Sequence, residues 1–391
     1  MRIGIDIRTT DPEEPGQQRY LWRLGAWLGE KGHEVHFLTV RPQQPETESP
    51  SGATLHRLDG ITRATLRRAV SLLSLDILLL NPERSRRYRG IPANVLRPAY
   101  GTEHYLQKLR SFRNPVELAL RRALRSSPWV LAERRWERAF YEDRTPSPEV
   151  IAQSEYMRGH IVASYRVPEA HVHVVHNGVD TDEYSPSRRR ALRAEMRERW
   201  AIPDDAFCLL FLGHNFRLKG LWRILDILPR LGGGTPFHLL AVGRGTGPVQ
   251  RGRAWSLIRR RALSDRVTMT GPVRPSVNAL AAADALLHLS WHDSFGFVAL
   301  EAMASGLPVV TTRHTGASEI IDEGTSGLLV DPGDHTAIIE SIRRLSDPEL
   351  RARIGAAAAE AGSGRNESAN FQQVLRVLAA AHARNEGPIE V

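Results

Sequence analysis

The sequence predicts an α/β protein of two Rossmann-like, doubly wound domains facing a cleft. Three observations carry this prediction. The first forty residues spell strand, Gly-bearing loop, helix and strand. After residue 200 short strands alternate with helices again. The chain has 391 residues, enough for two domains, or three, at about 100–200 residues each.

In the first half, Ile3, Ile5 and Ile7 open a strand, and a polar loop runs to Gly16. Tyr20, Leu21, Leu24, Trp27 and Leu28 recur at helical spacing from Gln17 to Lys31, and Gly32-His33 ends that helix. Val35–Val40 reads as the next strand, which completes a βαβ unit of a parallel sheet. Residues 63–150 mix short strands (Ile77–Leu80, Asn94–Leu96) with Arg-rich helices (Val116–Arg125, Trp129–Tyr141). Val150–Ser154 and Val172–Val175 read as later strands of the same sheet. Thr181–Arg199, polar and rich in arginine, reads as the connection to the second domain.

The second half gives strands at Phe207–Leu212, Phe237–Val242, Val267–Thr270, Leu286–Leu289 and Pro308–Thr311. Helices are expected from Leu221 and over Phe297–Ser305. The Ala-rich tail from Asp347 reads as helix broken near Gly362-Ser-Gly. Domains are therefore expected over 1–180 and 181–365, with a C-terminal helix over 366–391 packing back toward the first. In such sheets ligands sit at the carboxyl ends of the strands, so the Gly-bearing loops there matter most.

Composition is that of a globular chain, 41% hydrophobic and 25% charged, which excludes disorder, collagen and a disulfide scaffold. Cys208 is the one cysteine, so no disulfide forms within the chain. The N-terminus leads straight into a strand pattern without a signal-peptide core, and a cytoplasmic location is expected. The longest apolar stretch, Leu72–Leu80, contains Asp76 and falls well short of the ~20 residues of a membrane span.

The net charge is +9, and of 53 basic residues only Lys31, Lys108 and Lys219 are lysines. A GC-rich genome would produce this bias; so would a surface that meets phosphates or an anionic membrane. Arg121, Arg122, Arg125, Arg134, Arg135 and Arg138 interleave with leucines and with Trp129 and Trp136. That pattern suits a peripheral contact with an anionic membrane face, and equally a solvated helix face with a buried stripe. No nucleic-acid-binding module is recognisable, and no nucleic-acid partner is expected.

Two segments carry chemistry. Gly213-His-Asn-Phe-Arg-Leu-Lys219-Gly220 lies between a strand and a helix start, where backbone N–H groups suit an anion and Arg217 and Lys219 add positive charge. It could also be a basic surface loop. Asp293-Ser-Phe-Gly-Phe-Val-Ala-Leu-Glu301 places two carboxylates eight residues apart around a Gly turn. The pair could accept from sugar hydroxyls at two places; an acidic residue near a helix start also complements the helix dipole.

With Glu301-Ala-Met-Ala-Ser-Gly-Leu-Pro-Val-Val310, Asn177-Gly-Val-Asp180 and Ala283-Asp284, these segments resemble the retaining glycosyltransferases of GT-B fold, family 4, over most of residues 150–345. A narrower resemblance to the lipopolysaccharide core sugar transferases lies in His214–Gly220, Asp284-Ala-Leu-Leu-His288, Gly316-Ala-Ser-Glu319 and Leu96–Leu106. Residue 293 is Asp where the wider family mostly has Glu, and His214 stands where it has Arg.

The resemblance implies a hexosyltransferase with an acceptor-binding first domain and a nucleotide-sugar-binding second domain. The donor it implies is most plausibly UDP-glucose, and the acceptor is a lipopolysaccharide-core-like or other glycan or lipid. Lys219 and Arg217 would bind the donor diphosphate and stabilise the leaving group. Asp293 and the amides of Phe295, Gly296 and Phe297 would hold the sugar, and Glu301 the ribose hydroxyls. The Gly271–Arg274 turn with Val273 would meet the base, and Asn215, Gly243 and Arg244 would complete the donor site. Gly16 and Gln17 would approach from the first domain, and His104 would stand by the transferred sugar, although a histidine also serves structure or surface. Retention of configuration by front-face substitution is implied likewise. No cofactor or metal is expected, and Asp180-Thr-Asp182 reads as linker. The alternatives are a transferase with a soluble or phospholipid acceptor, a GT-B epimerase, or an inactive nucleotide-sugar-binding protein.

Overall fold

A computed structural model of the chain describes residues 1–7, 16–39, 52–58, 63–81, 93–98, 115–142, 147–232 and 235–384. It divides into two units: residues 1–176 with 368–391, and residues 177–367.

The first unit contains β1 (Arg2–Asp6), α1 (Gln17–Glu30), β2 (Glu34–Thr39), β3 (Ala53–Arg57), α2 (Arg63–Leu73), β4 (Ile77–Leu80) and β5 (Val95–Leu96). It continues with α3 (Pro115–Arg125), α4 (Pro128–Glu142), β6 (Glu149–Ala152), α5 (Glu155–Ser164) and β7 (Val172–Val174). The strands form one parallel sheet in the order β3-β2-β1-β4-β5-β6-β7. Its central strands are buried on both faces, as the unbroken Ile77-Leu-Leu-Leu80 run requires. Strand β3 has no counterpart in the sequence reading. It is a half-exposed edge with polar residues, and its apolar signal is weak.

The second unit opens with α6 (Pro186–Arg199), β8 (Phe207–Leu212), α7 (Phe216–Lys219), α8 (Leu221–Ile227), β9 (Phe237–Val242), α9 (Pro248–Arg260) and β10 (Val267–Gly271). It continues with α10 (Ser276–Ala282), β11 (Ala285–His288), α11 (Phe297–Ala304), β12 (Val309–Thr312), β13 (Leu328–Val330), α12 (His335–Ser346) and α13 (Pro348–Ser363). Here too all pairings are parallel, in the order β10-β9-β8-β11-β12-β13. The chain leaves β8 toward β9 and β10 on one side and returns to lay β11 on the other. The topological switch therefore falls between β8 and β11, and loops leaving their carboxyl ends diverge around a crevice.

The last helix, α14 (Glu367–Arg384), belongs almost wholly to the first unit. Tyr20 of α1 donates to Asn370 Oδ1 at 2.8 Å, and its ring meets Phe371 edge-on with centroids 5.4 Å apart.

Residues 186–199 differ from the expected connector. They form a helix capped by Ser185, whose hydroxyl accepts from Arg188 N. Arg189, Arg193 and Arg197 recur every four residues and so share one face. That face turns inward. Arg189 donates to Leu280 O, Ala283 O and Gly306 O, and Arg193 to Ala283 O and Asp284 Oδ1, the last at 2.7 Å. Arg197 reaches Asp284 Oδ2 at 3.3 Å, Ala206 O at 2.9 Å and Pro203 O. The comb thus caps carbonyls at the end of α10 and one after α11. Burial, with Arg193 nearby, lowers the Arg189 guanidinium to about 10, so it stays cationic at neutral pH. A composition reading treats arginines as solvated, which is why this segment looked like linker.

Asp284 also accepts from Cys208 N at 2.8 Å and ties the comb to β8. Asp284→Ala leaves Arg197 buried without its counter-charge. It is expected to lower the unfolding free energy by about 3–5 kcal/mol, read by urea denaturation.

Candidate active site

Both chemistry-bearing segments leave the sheet at its switch point, one after β8 and one after β11. After β8, Gly213 N donates to Val242 O at 3.0 Å, and Asn215 caps the single turn of α7 by accepting from Leu218 N at 3.1 Å. Gly220 ends that turn with φ 92°, and a Cβ there would stand 2.5 Å from Leu289 O. Only glycine meets both demands, and the close approach draws the turn against the end of β11. Trp291 N then donates to Leu218 O at 3.1 Å, and the two loops are joined.

Across this junction Lys219 Nζ donates to Asp293 Oδ2. His288, the last residue of β11, places Nε2 at 3.1 Å from the same oxygen. Its Nδ1 lies 3.3 Å from Thr311 Oγ1, which donates to His288 O. Gly296, at φ 95°, passes directly over this imidazole: a Cβ would stand 2.8 Å from His288 Cε1. The acidic loop is held further by Asp293 N donating to His314 O, Gly316 N to Asp293 O and Ala317 N to Phe295 O.

Burial alone would raise the Asp293 carboxyl. The adjacent Lys219 ammonium and the His288 contact outweigh it and hold the carboxyl well below the ordinary range. Burial lowers His288, Asp293 opposes that shift and Lys219 reinforces it, so the imidazole is neutral at neutral pH.

Arg217 and Lys219 lie two apart on the single turn of α7. Residues two apart on a helix point about 200° away from each other. The Arg217 guanidinium lies over Trp222, 5.5 Å from its centroid, and Arg253 lies over the same ring at 4.2 Å. The Asn215 side chain serves as a helix cap and also accepts from Gln250 Nε2 at 3.2 Å. Gly243 follows β9 and donates to Gly271 O at 2.8 Å, and Arg244 is exposed beside it. Val273 packs on the core under α10, and the buried Phe295 ring meets Phe297 at 6.2 Å. Glu301 stands on α11, where Oε2 accepts from Ser276 Oγ at 2.9 Å.

In the first unit, Gly16 caps α1, and Gln17 donates to Asn81 Oδ1 and, at 3.4 Å, to Arg97 O. His104 lies outside the described residues. The Asp180 carboxylate accepts from the N–H groups of Asp182 and Glu183 at 3.0 and 3.1 Å, so it shapes a turn. Among the described residues, no three His, Cys, Asp or Glu side chains cluster as metal ligands. Sequence reasoning missed His288, Ser276, Tyr184 and Gln250. Only His288 left a signal there, as the end of the Asp284–His288 segment that carries the narrower resemblance.

Two parallel sheets with loops diverging at a switch point define a doubly wound α/β class, and the comparisons narrow it. Residues 16–183 match the family model described as Glycosyltransferase Family 4, and residues 193–361 the model described as Glycosyl transferases group 1. Between them the two glycosyltransferase models span most of the chain, and its two parallel-sheet units have the GT-B architecture. A D-inositol 3-phosphate glycosyltransferase of Corynebacterium kroppenstedtii is 31% identical over 244 residues, 58% of this chain and 53% of that protein. The chain thus matches about half the length of this curated relative. WaaG, a glycosyltransferase involved in lipopolysaccharide biosynthesis, is similar in structure with a TM-score of 0.77 at 19% identity, over 96% of this chain and 99% of its own. HepE of Anabaena in complex with UDP-glucose gives 0.70 at 18% identity, over 97% and 100%.

An aspartate ionises near pH 3.9 in an unfolded chain, as a rough reference. Because the native value of Asp293 is lower, its charge stabilises the fold above that pH. The contribution disappears as pH falls through the native value. Asp293→Asn is expected to lower the unfolding free energy at pH 7 by about 2 kcal/mol, since the pair is not wholly buried. The gap from wild type narrows below about pH 4. Urea unfolding at the two pH values reads this; an unchanged gap would contradict it.

Proposed function

We propose that the chain is a retaining hexosyltransferase that takes its sugar from a nucleotide donor, most plausibly UDP-glucose. The observation that carries this reading is the Lys219–Asp293 junction at the switch point of the second sheet. An ammonium beside the N-terminal turn of α8 suits a diphosphate, and it stabilises the charge that develops on the leaving group. Asp293 and the amides around Gly296 suit sugar hydroxyls, and Glu301 suits the ribose. The UDP-glucose complex of the structurally similar HepE supports the donor. Lys219 supplies the counter-charge, so this reading asks for no divalent metal, and transfer is expected to survive EDTA.

For the acceptor we favour a lipopolysaccharide-core-like glycan or glycolipid at the cytoplasmic membrane face. The likeness to WaaG supports this. So does the helix pair of α3 and α4, where Val116, Leu118, Leu120, Trp129 and Leu131 are exposed large apolar residues. Arg125, Arg135 and Arg138 are exposed on the same helices, and Arg134 is partly so. Arg121 and Arg122 fall on α3, with their side chains outside the description. Apolar residues among arginines fit an anionic surface. No helix among the described residues is long and apolar enough to cross a membrane. A second reading, a soluble phosphorylated polyol as acceptor, is favoured by the name of the curated relatives.

UDP-glucose is expected to raise the melting temperature of the wild type and not that of Lys219→Ala. At about 100 times Kd the gain is about 2.7 kcal/mol. In transfer, Lys219→Ala should lose about a hundredfold or more in kcat with its circular dichroism unchanged. Normal turnover in that variant would sink the assignment.

Vesicles containing phosphatidylglycerol are expected to sediment the protein at low salt, with release near 0.5 M salt. Replacing Trp129 and Leu131 by serine should weaken sedimentation. No sedimentation with phosphatidylglycerol vesicles at low salt would favour the soluble acceptor.

A further inference from the structure

Glu301 is reached by a chain of hydroxyls that starts far away in sequence. Tyr184, 4% exposed, lies in the turn shaped by Asp180 and donates its own N–H to Asp180 O at 2.9 Å. Its phenol oxygen is 2.7 Å from Ser276 Oγ, and Ser276 Oγ donates to Glu301 Oε2 at 2.9 Å. A serine hydroxyl has one proton. That proton is committed to the carboxylate, so the phenol donates to the serine. The direction of the chain is therefore fixed: Tyr184 to Ser276 to Glu301. Its three members come from the turn before α6, the first residue of α10 and the middle of α11.

A charge-assisted hydrogen bond to one oxygen restricts rotation of the carboxylate plane. Each carboxylate oxygen has two lone-pair sites, so Oε2 can accept from Ser276 and from a ligand hydroxyl together. Ser276 also lies two residues after the Gly271–Arg274 turn, to which the family resemblance assigns the base. The groups that would read base and ribose are thereby held in one frame.

We propose that Ser276 and Tyr184 are positioning residues that set the Glu301 carboxylate to accept from the paired ribose hydroxyls, so that the site discriminates a ribonucleotide from its 2′-deoxy analogue. This rests on the reading of Glu301 as the ribose acceptor. Ser276 acts on the carboxylate directly, and Tyr184 acts only through Ser276.

The test is titration calorimetry of the full chain with UDP and with 2′-deoxy-UDP. The wild type is expected to prefer UDP by about tenfold or more. Ser276→Ala should cut that preference at least threefold, mostly by weakening UDP and leaving 2′-deoxy-UDP nearly unchanged. Ser276→Thr, which keeps the hydroxyl, should retain it. Tyr184→Phe should have a smaller effect, and adding it to Ser276→Ala should change nothing further, because residues in series are not additive. A merely structural role would weaken both ligands alike and leave the ratio unmoved. A wild-type ratio in Ser276→Ala, with the ratio lost in Glu301→Ala, overturns the proposal and spares the ribose reading. A wild-type ratio in Glu301→Ala, or no binding of UDP by the wild type, overturns the reading and the proposal with it.

Discussion

A carboxylate held in its charged form under cover of protein needs a cation beside it, and the second unit is organised around that requirement at Asp293. Lys219 meets it from the loop after β8, and neutral His288 supports it from the end of β11. The contact exists only because the two strands are neighbours in a parallel sheet whose connections leave in opposite directions. It is close only because Gly220 and Gly296 have no side chain where Leu289 O and the His288 ring stand. Sheet topology, two glycines and one ion pair thus form a single constraint. A donor that brings its own negative charge would find a lysine already fixed in place and a carboxylate already ionised.

The arginine surplus is partly explained by a different need. Helix ends leave carbonyls without intrahelical partners, and this chain repeatedly answers with guanidinium groups. Arg189, Arg193 and Arg197 close the end of α10. Arg343 donates to Arg230 O and Leu231 O and Arg351 to Leu345 O and Ser346 O, while Arg223 serves Leu289 O just after β11. A planar fork of five donors can serve several carbonyls at once, which a lysine cannot. Part of the positive charge in the second unit is therefore inward-facing or capping. The basic helices α3 and α4 expose large apolar residues among their arginines, and α9 does so with Val249 and Trp255.

The regular elements were legible because their signals are local. Apolar runs bounded by glycine, proline or a polar residue place β4, β8 and β9 to the residue, and helical spacing places α1. The weak elements were not. Strand β3 has a polar edge, β13 spans three residues, and α6 carries an arginine face that composition assigns to solvent. Within the site, Lys219, Asp293 and Glu301 stood out by motif. Arg217 stood out equally, yet it lies over Trp222 because the α7 turn points it away from Lys219. Tyr184 and Ser276 left no signal, since each is an ordinary polar residue until the fold sets them 2.7 Å apart.

Residue order was enough to establish two parallel-sheet units, the loops that could hold a ligand, and the chemical types available in those loops. Periodicity and short motifs encode these things within about ten to twenty consecutive residues. Which of those groups meet was decided by tertiary structure alone. Lys219 and Asp293 are 74 positions apart and Tyr184 and Ser276 are 92 apart. Each pair is made by strand order and by the handed crossovers that set it, and no local pattern records either.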